Sequence, residues 1–152
     1  MHKKERRGRA AALNMVITST GAGKAVVKVI PSLEGKLTAN AVRVPTPNGS
    51  LAILNLTLNK TTTIEDINGI VKNAALEGAL VEQINYSISK ELVSTDIVGN
   101  NAASIYDSPA TIVSQDGKSV VLYVWYDNEY GYSRQVMRLA KHLAEVRRPM
   151  NY

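Results

Sequence analysis

Between residues 50 and 79 the chain changes its hydrophobic period once, and that change constrains the fold more than any other feature. Ser50–Leu58 reads SLAILNLTL, long, largely apolar and suited to a strand. TTTIEDINGIVKNAALEGA follows after one Asn-Lys pair, and it sets Ile64, Ile67, Val71, Ala74 and Ala75 on one helical stripe. Thr63 with Asp66 resembles a capping box, with Asp in place of the usual Glu. A strand running straight into a capped amphipathic helix needs both a sheet layer and a helix layer.

The flanking sequence extends this pattern. Thr20-Gly21 followed by Ala22, Ala25, Val26, Val29 and Ile30 predicts a helix over about 21–30, capped by Ser19 or Thr20 and stopped by Pro31. SLEGK is a turn, Leu37–Val44 an alternating strand, and PTPNGS a loop with two prolines and an Asn-Gly pair. The strands at 37–44 and 50–58 are expected to lie antiparallel in one sheet. Further strands are expected at Ile84–Ser89, Leu92–Val98 and Thr111–Ser114, the last joined to Ser119–Tyr126 through a Gln115–Lys118 hairpin turn. The Asn-, Ser- and Gly-rich run 99–109 reads as loop. A closing helix over about 132–146 places Val136, Leu139, Ala140, Leu143 and Val146 on one face, and RRPMNY ends it. Hairpins separated by helices predict an α+β fold, with a mainly antiparallel or mixed sheet and helices packed on one face.

Composition removes several alternatives. The 152 residues fit one domain, long enough to bury roughly 70% of an unfolded chain's surface. With no cysteine, the chain offers no disulfide, thiolate metal site or cysteine nucleophile. No run approaches the roughly 20 apolar residues of a membrane span. AAALNMVI after the basic start is short for a secretory core and is broken by Asn14, so a soluble, cytoplasmic protein is expected. Residues 1–9 carry Lys3, Lys4, Arg6, Arg7 and Arg9 against Glu5, a net of +4, whereas the remainder nets only +1. Such an arm suits nucleic acid, a solvated end, or a loop that meets phosphate.

Three segments could carry chemistry. TGAGKA (20–25) is not a Walker motif: Thr18 stands where the first glycine belongs and Ala25 follows the lysine. It is either a plain helix cap or an anion site at a helix start. Arg43, late in its strand, is either a surface residue or a bidentate phosphate ligand. WYDNEYGYS (125–133) is a polar, aromatic loop between strand and helix, a usual place for binding groups. His2 and His142 have no catalytic partners, and no metal-ligand or triad spacing occurs.

In order and spacing, RRGRAAALN, STGAGKAV, GKL, VRVPTPN and WYDNEYGYS together resemble the catalytic domain of glyceraldehyde-3-phosphate dehydrogenases, over nearly the whole chain. The resemblance implies that residues 1–152 form the larger C-terminal part of that domain, with 1–11 the end of a basic cofactor and substrate loop. The Rossmann domain and the Cys/His segment are then expected elsewhere, so the chain supplies no catalytic residue and is inactive alone. It implies Arg7, Thr20, Gly21 and Arg43 as ligands of substrate and inorganic phosphate. Asn128 and Tyr132 are implied as nicotinamide contacts, with NAD as cofactor and NADP also open. In the family a cysteine thiolate attacks the aldehyde, hydride passes to the cofactor, and phosphate releases the acyl group. A homotetramer is implied, with sugar phosphate as substrate and neither membrane nor nucleic acid as partner. Alternatives are an erythrose-4-phosphate dehydrogenase fragment, or a non-enzymatic module whose basic arm binds nucleic acid or another partner.

Overall fold

A computed structural model describes residues 5–78 and 80–146 of the chain. The chain divides into two compact units, Met1–Pro47 and Asn48–Tyr152. His2 and the terminal RRPMNY lie outside the described residues.

In the first unit a 3-10 turn, Glu5–Gly8, lies against strand β1, Val16–Ser19. Helix α1, Ala22–Val29, follows, and β2, Asn40–Arg43, pairs antiparallel with β1, setting Val16 opposite Arg43 and Ser19 opposite Asn40. Pro31 ends the helix as expected, after the Ile30 N–H has bonded back to Val26. Two expectations fail here. β1 lies where the sequence pattern predicts no element, because its polar TST end masks the alternation. The expected 37–44 strand is cut to four residues and pairs with β1 rather than with the strand at 50–57. Pro45 and Pro47, lacking N–H donors, end the ladder just beyond it.

The second unit holds β3 (Ser50–Thr57), α2 (Ile64–Leu76), β4 (Ile84–Ser87), α3 (Ser94–Ile97), β5 (Ser104–Asp107), β6 (Ile112–Val113), β7 (Ser119–Tyr126) and α4 (Tyr130–Leu143). The sheet order is β3-β7-β5-β4, with β6 beside β7. β4 and β5 run parallel and the other pairs antiparallel, so the sheet is mixed. With four α-helices among the described residues, the α+β expectation holds.

Local chemistry explains the elements. The Thr63 hydroxyl accepts the Asp66 N–H at 3.1 Å and starts α2, as the capping pattern predicts. Gly117, at φ +68°, closes the turn between β6 and β7; a Cβ there would lie 2.8 Å from the Thr62 carbonyl oxygen. The expected strand at 92–98 is instead helix α3: the Asp96 carboxylate accepts the Val93 N–H at 2.9 Å and starts a helical turn. The expected 99–109 loop contains β5, with Ile105, Tyr106 and Asp107 buried. Its polar groups are all engaged, which is what lets so polar a segment lie inside. The Tyr106 hydroxyl lies 2.8 Å from Asn68 Oδ1 and 2.6 Å from Thr111 Oγ1, and Asp107 accepts the Trp125 indole N–H at 3.0 Å. Burial raises the Tyr106 pKa above the usual phenol value, partly offset by the Thr111 hydrogen bond.

Ala75, Ile97, Ala102, Ile105, Tyr106 and Val120 form the buried apolar core, all in the second unit. Much apolar surface is uncovered. On β3, Ile53 is 53% exposed, and the stripe of α4 foreseen as a packing face is open at Val136, Leu139 and Leu143. No described helix is long and apolar enough to cross a membrane.

Candidate functional site

The first unit is rich in cationic groups and contains a helix start. β1 ends at Ser19 and α1 begins at Ala22, so Thr20 and Gly21 form the turn between them. The Thr20 hydroxyl accepts the Ala22 N–H at 3.2 Å, while Gly21 is exposed with open space around its Cα. Residues 1–47 carry nine Lys and Arg against two Asp and Glu; residues 48–152 carry nine against eleven. Arg43 is exposed at the end of β2. The ladder sets it opposite Val16, three residues along β1 from Ser19. At ~3.3 Å per residue that is about 10 Å from the end of β1, which precedes the helix start. Arg7 sits exposed in the 3-10 turn that lies against β1. Thr18 shares a face of the ladder with Arg43, and its buried hydroxyl has no hydrogen-bond partner.

In the second unit the WYDNEYGYS segment is organised by a residue whose role the sequence did not reveal. Asp127, 3% exposed, accepts four hydrogen bonds. Its Oδ1 takes the Glu129 and Tyr130 N–H groups at 2.8 and 2.7 Å, which starts α4 two residues earlier than expected. Its Oδ2 takes the Gly99 N–H at 2.9 Å and the Asn48 amide at 3.2 Å. The bond from Gly99, then that from Tyr130, holds its pKa below the usual carboxylate range. One carboxylate thus ties three chain segments together. The signal for it in the sequence was an Asp just before a helical pattern.

Next to it, the exposed Asn128 donates its amide to Ser50 Oγ at 2.7 Å. This leaves Asn128 Oδ1 without a protein partner among the described residues. Tyr132, in the first turn of α4, is 69% exposed. Gly131 between them is forced: a Cβ there would lie 2.8 Å from the Ala102 carbonyl oxygen. His142 is exposed on α4. Among the described residues no cluster of His, Asp and Glu could hold a metal.

A helix-start unit rich in basic residues and a mixed α+β sheet unit make up the chain, and comparison with known proteins gives its family. Residues 1–128 match the family model described as glyceraldehyde 3-phosphate dehydrogenase, C-terminal domain, and the chain belongs to that family. Over 148 residues it is 55% identical to a glyceraldehyde-3-phosphate dehydrogenase-like protein of Pseudomonas aeruginosa, covering 97% of this chain and 32% of that protein. It is 50% identical to glyceraldehyde-3-phosphate dehydrogenase of Priestia megaterium, covering 94% of this chain and 42% of that one. With glyceraldehyde-3-phosphate dehydrogenase 2 of Saccharomyces cerevisiae the identity is 47%, over 95% of this chain and 43% of the yeast protein. The chain therefore spans about a third to two-fifths of the length of the relatives it matches.

Proposed function

We propose that this chain is the C-terminal part of the catalytic domain of an NAD-dependent, phosphorylating glyceraldehyde-3-phosphate dehydrogenase of glycolysis, cytoplasmic and homotetrameric when whole. The observation that carries the reading is the Thr20–Gly21 helix start within a unit of nine basic and two acidic side chains. A helix N-terminus offers free N–H groups and a partial positive charge, and arginine adds a planar pair of donors. Arg43 and Arg7 hold the sugar phosphate, and Arg43 shares inorganic phosphate with Thr20 and Gly21. The work of these groups is positioning: they hold two anions in a fixed arrangement, so little reorganisation is needed when they react.

The second unit suits a nicotinamide ring. The free Asn128 Oδ1 accepts a carboxamide N–H, Ser50 holds the other end of the Asn128 side chain, and Tyr132 offers an exposed aromatic face. Bound there, the cofactor supplies hydride acceptance. The chain contributes no cysteine nucleophile, and the basic segment 1–11 is assigned to the substrate side.

Calorimetry with inorganic phosphate tests the anion site. Arg43→Ala is expected to weaken binding on the order of tenfold or more, the loss of a charge-assisted hydrogen bond. Unchanged affinity removes Arg43 from the site. An assay with glyceraldehyde 3-phosphate, NAD and phosphate tests the rest. The chain alone should form no acyl phosphate, and activity should appear when it is joined to the nucleotide-binding, nucleophile-bearing part of a relative. Activity of the isolated chain, or none after joining, overturns the assignment.

A further inference from the structure

The chain contains two Asn-Gly pairs, Asn48-Gly49 and Asn68-Gly69, in opposite surroundings. At the first, the half-buried Gly49 N–H lies 2.7 Å from Asn48 Oδ1 and donates to it. That contact draws electrons from the Asn48 carboxamide carbon and keeps the backbone nitrogen beside it. The fold also requires the least hindered residue at 49: φ is +92°, and a Cβ would sit 3.1 Å from the Ser94 carbonyl oxygen. At the second pair, Gly69 lies inside α2, where its N–H belongs to the helix ladder. The Asn68 carboxamide is held on both sides, Oδ1 by the Tyr106 and Thr111 hydroxyls and Nδ2 by the Ser108 carbonyl oxygen.

We propose that Asn48 is a site of spontaneous deamidation, a modification that opens the Asp127 hub, whereas Asn68 is protected. The Gly49 nitrogen gives its proton to solvent base and attacks Asn48 Cγ. The N–Cγ bond forms, the Cγ–Nδ2 bond breaks, and Nδ2 leaves as ammonia after taking a proton from water. Water then opens the five-membered imide at either carbonyl, giving aspartate or isoaspartate at 48. No electrons are gained or lost overall. The aspartate product puts a carboxylate where an amide donor had stood, 3.2 Å from Asp127 Oδ2, and the isoaspartate product takes Cγ into the main chain and removes the donor altogether. In the first case a hydrogen bond becomes a like-charge repulsion, and in the second it is lost. The strain falls on the carboxylate that also holds Gly99, Glu129 and Tyr130, and so on the approach to Asn128.

The test is peptide mass spectrometry of the purified chain incubated at mildly alkaline pH, with and without urea. In the native chain Asn48 is expected to convert on the order of tenfold faster than Asn68, because Asn68 must await opening of its helix. In urea the two rates should converge. Equal native rates, or faster conversion of Asn68, overturn the assignment. Hydrogen exchange on Asn48→Asp reads the consequence. The Gly99, Glu129 and Tyr130 amides should lose protection at neutral pH and regain much of it when the new carboxyl is protonated. Unchanged protection removes the link to the hub.

Discussion

The two units carry the proposed binding groups on very different foundations. The first holds Arg7, Thr20, Gly21 and Arg43 on a two-stranded ladder and one short helix, and its only buried described residue is Thr18. The second holds Asn128 and Tyr132 beside a five-stranded sheet with a buried core. A site for small anions needs backbone N–H groups and cations near water, and a helix start on a small ladder provides them. A site for a planar ring needs a side chain fixed in one orientation. That calls for the Asp127 hub and the sheet edge at Ser50 behind it.

Four measurements sharpen or break this contrast. Ile97→Ala should have the largest effect, costing about 3 kcal/mol in urea unfolding followed on the second unit, since it empties a fully buried position. An equal loss of phosphate affinity would show that the first unit depends on the same core. Gly131→Ala should cost roughly 1–3 kcal/mol, because its new methyl meets the Ala102 carbonyl oxygen. Asp127 comes next, through pH. Its folded pKa is depressed, so its contribution is complete above the unfolded value of about 3.9 and is lost as pH falls through the lower folded value. In Asp127→Asn that acid limb of the stability curve should flatten; an unaltered limb assigns it to other carboxylates. Thr18→Val should have the smallest effect and the opposite sign. Removing an unpaired buried hydroxyl should leave the first unit unchanged or stabilise it by up to about 1 kcal/mol. A clear loss would mean that the hydroxyl has a bonding role.

What the sequence disclosed follows from where the information lies. α2, with its Thr63 cap, and the β6–β7 turn at Gly117 were legible because neighbouring residues determine them. The pairing of β3 was not, because its partner β7 lies far along the chain and no local signal links Ser50 to Tyr126. β5 was hidden because its polar residues find buried partners only after folding, and α3 because Leu92–Val98 is apolar enough for a strand until Asp96 caps it. At the candidate sites, Thr20 and Asn128 stood out as residue types in a pattern. The hub around Asp127 did not, since Asn48 and Gly99 reach it from distant positions.

The distance between β3 and its partner has a consequence during synthesis. When the ribosome releases Ser50–Thr57, the strand that will cover this edge has not yet been made. At roughly 5–20 residues per second, β7 follows on the order of ten seconds later. Through that interval Leu51, Ile53, Leu54 and Leu56 form a nascent strand with no partner of its own, the type of edge that other chains can capture. The helix α2, complete in itself, can form while β3 waits.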